Sequence, residues 1–177
     1  MKKLGHFSIP LEGLKDGKRE FIFRLDNEFF DSFENSPVKT GIFEARLELE
    51  KKSNLIELDF DIAGTMGTPC DRCLADIDLP LQMEDHLIIK YADEEKAEEE
   101  VIYIKRDTDH FNVAKFLYEC ICLNLPLIMV YECRETEPYP CNEKVLDKIE
   151  GEVEEEKKGN VTNPIWDQLK NDFNNNY

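Results

Sequence analysis

Two cysteines two residues apart, Cys70 and Cys73 in "PCDRCL" (69–74), are the side chains whose type and spacing most directly suggest chemistry. Zinc takes four soft or borderline ligands in a tetrahedron, and a C-x2-C pair on a tight turn presents two thiolates from one knuckle, with turn amides available to the sulfurs. One knuckle is half a site. Cys133 and Cys141, in the Pro-containing stretch "YECRETEPYPCNEK", are the obvious source of the other half, although C-x7-C is a looser spacing than a second knuckle. A redox pair would sit where a helix begins inside a βαβ unit, because the helix N-terminus lowers a thiol pKa. Here the pair is followed by strand-like alternation. Structural zinc, a packed thiol turn and a redox pair are the three readings these residues allow.

Little else in the chain suggests catalysis. His6, His86 and His110 are scattered and lie near no Ser or Cys pair in sequence, and the eight glycines form neither a G-x-G-x-x-G nor a Walker pattern. Carboxylates are so abundant that no pair stands out as a general acid and base. Cys120 falls on the apolar side of a helical pattern and reads as a small buried hydrophobe, while the exposure of Cys122 is left open. No enzyme and no small-molecule substrate is expected.

The elements that must position the thiols are mostly strands. Phe21, Phe23 and Leu25 alternate with Ile22, Arg24 and Asp26, and "DNEFFDSFENSP" reads as a helical turn or loop. Ala45, Leu47 and Leu49 alternate with charged residues, and after the polar turn 51–54 so do Ile56, Leu58, Phe60 and Ile62. Period two on both sides of a short turn predicts a half-buried hairpin. Ile77, Leu79, Leu81 and Met83 resume the alternation and continue into "HLIIKY", which places the thiol pair at a tip between two antiparallel strands. Residues 93–100 hold six acids and read as a solvated loop before a short strand at 101–104. Val113, Phe116, Leu117, Cys120 and Ile121 share one helical face, with Asn112 as N-cap and Pro126 closing the helix.

Near the C-terminus, "DKIEGEVEEEKKGNVTN" has little to bury and reads as a disordered linker. It leads to "NPIWDQLKNDF", where Asn163 can cap, Pro164 suits the first helical position, and Ile165, Trp166, Leu169 and Phe173 fall on one face. A short amphipathic helix bearing the sole Trp on a flexible tether docks either on the domain or on a partner. Ile165, Trp166 and Leu169 are therefore candidate partner-binding residues.

Acidic residues outnumber basic ones by 39 to 22 in 177 residues, for a net charge of -17. This excludes a general nucleic-acid binder, which needs clustered Lys and Arg against the phosphates. It suits a basic protein partner, and contact through one local basic patch stays open, with Lys105-Arg106 and Lys15, Lys18 and Arg19 as the candidates. The first residues lack the apolar core of a signal peptide, and no run approaches the ~18 apolar residues of a membrane span. A cytoplasmic chain with no membrane contact is expected, and thiols in that compartment stay reduced unless catalytic or metal-bound.

In this order the pieces resemble the large ribosomal RNA subunit accumulation protein family, or YceD family. The resemblance rests on "CDRCL" after a hairpin, an acidic loop, the helix "LYECICLNLPL", a Cys-bearing loop, and an acidic linker ending in "NPIWDQL", covering roughly residues 40–173. It implies a cytosolic accessory factor for large-subunit rRNA or ribosome assembly, without known catalysis. In many members the loop after Leu-Pro looks like a second Cys-x-x-Cys, which would complete a zinc site; this chain offers Cys133 and Cys141 there.

The resulting expectation is an α+β protein: an antiparallel sheet, possibly barrel-like, with one main packed helix and a short C-terminal helix. Its divisions are a domain over 1–146, an acidic linker over 147–162 and the tail helix over 163–177. The expected function is non-enzymatic support of rRNA accumulation by binding a basic ribosomal or assembly protein, touching rRNA indirectly. A stand-alone zinc-binding or thiol redox protein is the alternative.

Overall fold

A computed structural model describes residues 2–93, 96–98, 101–130 and 140–149. Cys133, Ile165, Trp166, Leu169, the linker beyond residue 149 and the expected tail helix lie outside the described residues.

Alternation becomes sheet along most of the chain. β1 (Ser8–Pro10) follows a 3-10 turn over Lys2–Phe7, and β2 (Gly17–Leu25) leads into the short helix α1 (Asn27–Phe30). Then come β3 (Thr40–Lys52), β4 (Leu55–Pro69), β5 (Asp76–Tyr91), β6 (Lys96–Glu98), β7 (Val101–Ile104), β8 (His110–Asn112) and α2 (Ala114–Leu123). The large sheet runs in the order β2-β3-β4-β5-β7-β6, and β1 pairs with β8 in a separate two-stranded ribbon. Strands β2 to β5 form an antiparallel meander, as the alternating segments require, whereas β5 and β7 pair in parallel.

The expectation of a barrel is corrected: β2 and β6 stand at opposite edges of an open sheet. Closure would need the two edge strands to pair, and β6 offers only three residues against the nine of β2. Within the acidic stretch 93–100, expected as a solvated loop, the described residues include a short strand. Lys96 and Ala97 interrupt its carboxylates, Lys96–Glu98 pairs with β7, and the Lys96 ammonium lies 4.7 Å from the centre of the Tyr103 ring.

The core lies on one face of the meander. Phe43, Ala45, Leu47 and Leu49 of β3 are buried, as are Ile56, Leu58, Phe60 and Ile62 of β4. Leu117, Cys120 and Ile121 of α2 close this face together with Phe29 and Phe30 of α1 and Phe7. Rings link these covers: Phe29 sits 4.9 Å from Phe7 and 5.2 Å from Phe30, and Phe33 stacks on Tyr118 at 3.8 Å. Asp26 caps α1 by accepting from the Glu28 and Phe29 amides.

The N-cap of α2 is Val113 and not the expected Asn112, which stands one residue earlier and still holds the helix start. Asn112 Oδ1 accepts from the Ala114 N–H at 3.0 Å, and its Nδ2 donates to the Leu4 carbonyl at 2.8 Å. One side chain thus ties the main helix to the N-terminal turn. Residues 143–149 are also helical, with Leu146 buried in the core, so this helix crosses position 146.

Close approach of β3 and β4 depends on Gly64. A Cβ there would lie 2.2 Å from the Ile42 carbonyl oxygen and 2.7 Å from the Phe43 ring, so no side chain fits while the two strands keep this register.

Candidate functional site

With the apolar phase of β2–β5 committed to the core, the other phase forms an outer face that carries no helix among the described residues. The register decides which of its side chains meet. Glu20 stands opposite Glu48, Glu48 opposite Asp59, Glu50 opposite Glu57, and Asp61 opposite Glu84. Like charges directly across a ladder are destabilising, each by a fraction of ~1 kcal/mol, so this arrangement does not serve stability.

Cations only partly offset these carboxylates. Arg46 Nε lies 3.0 Å from Glu20, Lys18 pairs with Glu48, and Lys52 pairs with Glu57. A hydrogen bond and the charge of Glu48 hold the Lys18 ammonium above its ordinary pKa, and a hydrogen bond to Glu57 does the same for Lys52. These exposed pairs contribute little to folding. His86 Nδ1 lies 2.7 Å from Asp59 Oδ1, in a shallow depression that Glu48, Asp61 and Glu84 also line. The arrangement can attract and orient a cationic surface. It brings together no nucleophile with a base.

The thiol pair sits where the alternation predicted, in the loop that joins β4 to β5. Pro69 pairs with Asp76 at its base, the Cys70 N–H donates to the Ala75 carbonyl at 2.8 Å, and the Leu74 N–H donates to the Cys70 carbonyl at 2.9 Å. Leu74 takes a left-handed conformation with φ 57°, a position that glycine fills without strain. Cys70 and Cys73 are buried, at 1% and 0% exposure, and are not bonded to each other.

The loop is fastened from outside by a contact that sequence reading missed. The Asp71 N–H donates to the Met129 carbonyl at 2.9 Å, and the Met129 N–H donates to Asp71 Oδ2 at 2.7 Å. This reciprocal clamp holds the segment after α2 against the knuckle. No local signal marks it, because the two residues lie 58 positions apart.

A zinc ion would need four donors. Cys70 and Cys73 offer two, Cys141 is half-buried against the core and engaged in a disulfide, and Cys133 lies outside the described residues. Among the described residues, no group of three His, Cys, Asp or Glu side chains gathers as a metal site.

The remaining thiols have packing environments. Cys120 is buried on α2, and burial first, then the charge and hydrogen bond of Asp85, push its thiol up to about 11. Burial likewise raises Cys122, which is half-buried. Neither supplies a thiolate near neutral pH.

Residues 58–171 match the family model described as large ribosomal RNA subunit accumulation protein YceD. The chain belongs to this family. The YceD match begins within β4 and ends beyond Leu169, so the family unit takes in the knuckle, β5, α2 and the Trp166 segment, while β1 to β3 precede it. No curated protein and no solved structure matches the chain. No helix among the described residues is long and apolar enough to cross a membrane.

Proposed function

We propose that the protein supports accumulation of large-subunit ribosomal RNA as a non-enzymatic accessory factor in the cytoplasm, by holding a basic ribosomal or assembly protein. The family name ties its members to that process. The observation that carries the partner's chemistry is the outer sheet face, where four cross-strand pairs place carboxylate against carboxylate. A cationic partner relieves that repulsion on binding, so part of the cost carried by the unbound protein is returned in the complex. Long-range attraction speeds encounter and weakens as salt screens it. Ile165, Trp166 and Leu169 supply an apolar anchor for the bound partner.

The test is capture from lysate at low and high salt, with the Glu48→Gln, Asp61→Asn, Glu84→Gln triple variant beside the unaltered chain. Recovery of a basic ribosomal or assembly protein at low salt, reduced several-fold by the triple variant, is the expected result. Equal recovery by both chains removes the outer face from the proposal.

One observation favours a second reading, direct rRNA contact. Lys90 pairs across the ladder with Tyr103, Lys96 lies over the Tyr103 ring, and Arg106 lies 6.0 Å from the Tyr91 ring. Cations beside aromatic rings suit single-stranded RNA, but here the acids of 93–100 and Asp107 are their neighbours in sequence. Ribonuclease treatment before capture separates the readings, since only an RNA-bridged partner is then lost. The thiol alternative is disfavoured by the burial of both knuckle sulfurs, which keeps a dissolved partner from reaching them. It requires Cys70→Ser with Cys73→Ser to abolish function while the fold survives.

A further inference from the structure

The described residues leave few large apolar side chains in water, and four of them lie on two segments that a pair of hydrogen bonds joins. Leu123, Leu127 and Ile128 are 84%, 101% and 69% exposed, and Leu74 of the knuckle is 70% exposed. Leu123 ends α2, and the clamp between Asp71 and Met129 holds the segment that follows against the loop bearing Leu74. Joined in this way the two segments offer an apolar ledge, and Met129 and Val130 next to it in the chain pack against the core. A lone exposed leucine needs no explanation, but a ledge of this kind marks a contact surface.

We infer that this ledge is the docking site of the chain's own C-terminal segment, with Trp166 and its apolar neighbours Ile165, Leu169 and Phe173 laid across Leu123, Leu127 and Ile128. The described chain ends at Ile149, and residues 150–162 separate it from Asn163. Fully extended, that tether reaches about 45 Å, and a domain of this size is roughly 40 Å across, so the ledge lies within reach. Tethering raises the segment's effective concentration at the ledge to the order of millimolar.

Charge directs the segment to this ledge rather than to the sheet. The tether carries five carboxylates against two lysines, and the outer face of β2–β5 repels it. The ledge is aliphatic and offers what the pattern of 163–173 needs, which is cover for one apolar side. The ledge and Ile165, Trp166 and Leu169 all fall within the single match at 58–171, so they belong to the same family unit. This docking does not depend on the proposed partner. Where that partner takes the Trp166 segment as an anchor, it does so in exchange for the ledge.

The sole Trp of the chain makes the test direct. In the full-length protein, Trp166 fluorescence is expected to be blue-shifted, protected from acrylamide and unchanged on dilution. Leu127→Asp with Ile128→Asp should shift the emission to that of Trp in water and raise quenching several-fold. Both positions are exposed, so circular dichroism should be unaltered. Ile22→Asp, on the outer face, is the control and should leave the emission unchanged. Water-like emission from the unaltered chain overturns the proposal, as does emission insensitive to the ledge variants. A red shift on dilution also overturns it, because the occupant is then a second copy. Capture of a basic partner is a separate readout, so failure of one proposal is distinguishable from failure of the other.

Discussion

The two faces of β3, β4 and β5 are made from alternate residues of the same strands, yet they answer to different physics. On the inner face Leu47, Leu58 and Ile62 are fully buried, and Gly64 lets Phe43 and the Ile42 carbonyl approach to a distance that excludes any Cβ. Packing there is short-range, and a single added atom is felt. On the outer face, carboxylates oppose carboxylates across the ladder. The interaction there is long-range, shared among many groups and set by salt. Under the proposed function, one sheet separates stability from recognition, with adjacent residues of one strand serving opposite ends.

The comparison breaks most sharply at Gly64. Gly64→Ala is expected to destabilise the fold by about 3 kcal/mol, since the added methyl must displace backbone of β3. Urea unfolding measures it, and a change below ~1 kcal/mol would show that the inner face yields as readily as the outer one.

Next in size is the pH dependence of the inner face. The Cys120 thiol stands at about 11 in the folded chain, against an ordinary value of 9.0. The folded state therefore keeps its proton where the unfolded chain has lost it. The associated stability is fully present below pH 9 and is lost as pH rises through 11, to the extent of about 2–3 kcal/mol. Cys120→Ala should flatten that loss. Unfolding midpoints across this window measure both chains, and parallel curves would mean that Cys120 does not set the slope.

The smallest expected effect lies on the outer face and has the opposite sign. Glu84→Gln removes one partner of the Asp61 pair and should stabilise the fold by about 0.3 kcal/mol, while weakening capture of a basic partner at low salt. Destabilisation instead would mean that Glu84 contributes to folding and that the two faces are less separate than the register implies.

Much of the architecture was legible in the sequence because its signals are local. Alternation placed the strands, the spacing of Val113 to Ile121 placed the main helix, and the run of elements placed the thiol pair at a tip between strands. Cys120 was read as buried for the same reason. The order of motifs was enough to mark the family.

The candidate site was legible only in part. The acidic composition pointed to a basic partner, but no single strand reveals that its carboxylates will stand opposite those of the next. That depends on register, which is set when one strand's buried side chains find those of its neighbour. The grip of Asp71 on Met129 likewise joins residues whose separation carries no periodic signal. The open edge, the parallel pairing of β5 with β7 and the small strand β6 within an acidic run were also absent from the local pattern.

The sequence by itself determined the element types, the net charge and the place of the cysteine turn, because each follows from neighbouring residues, local spacing or a simple count. Only the tertiary structure decided which carboxylates face one another, what clamps the knuckle and which apolar side chains remain in water, because those depend on contacts between segments far apart in the chain.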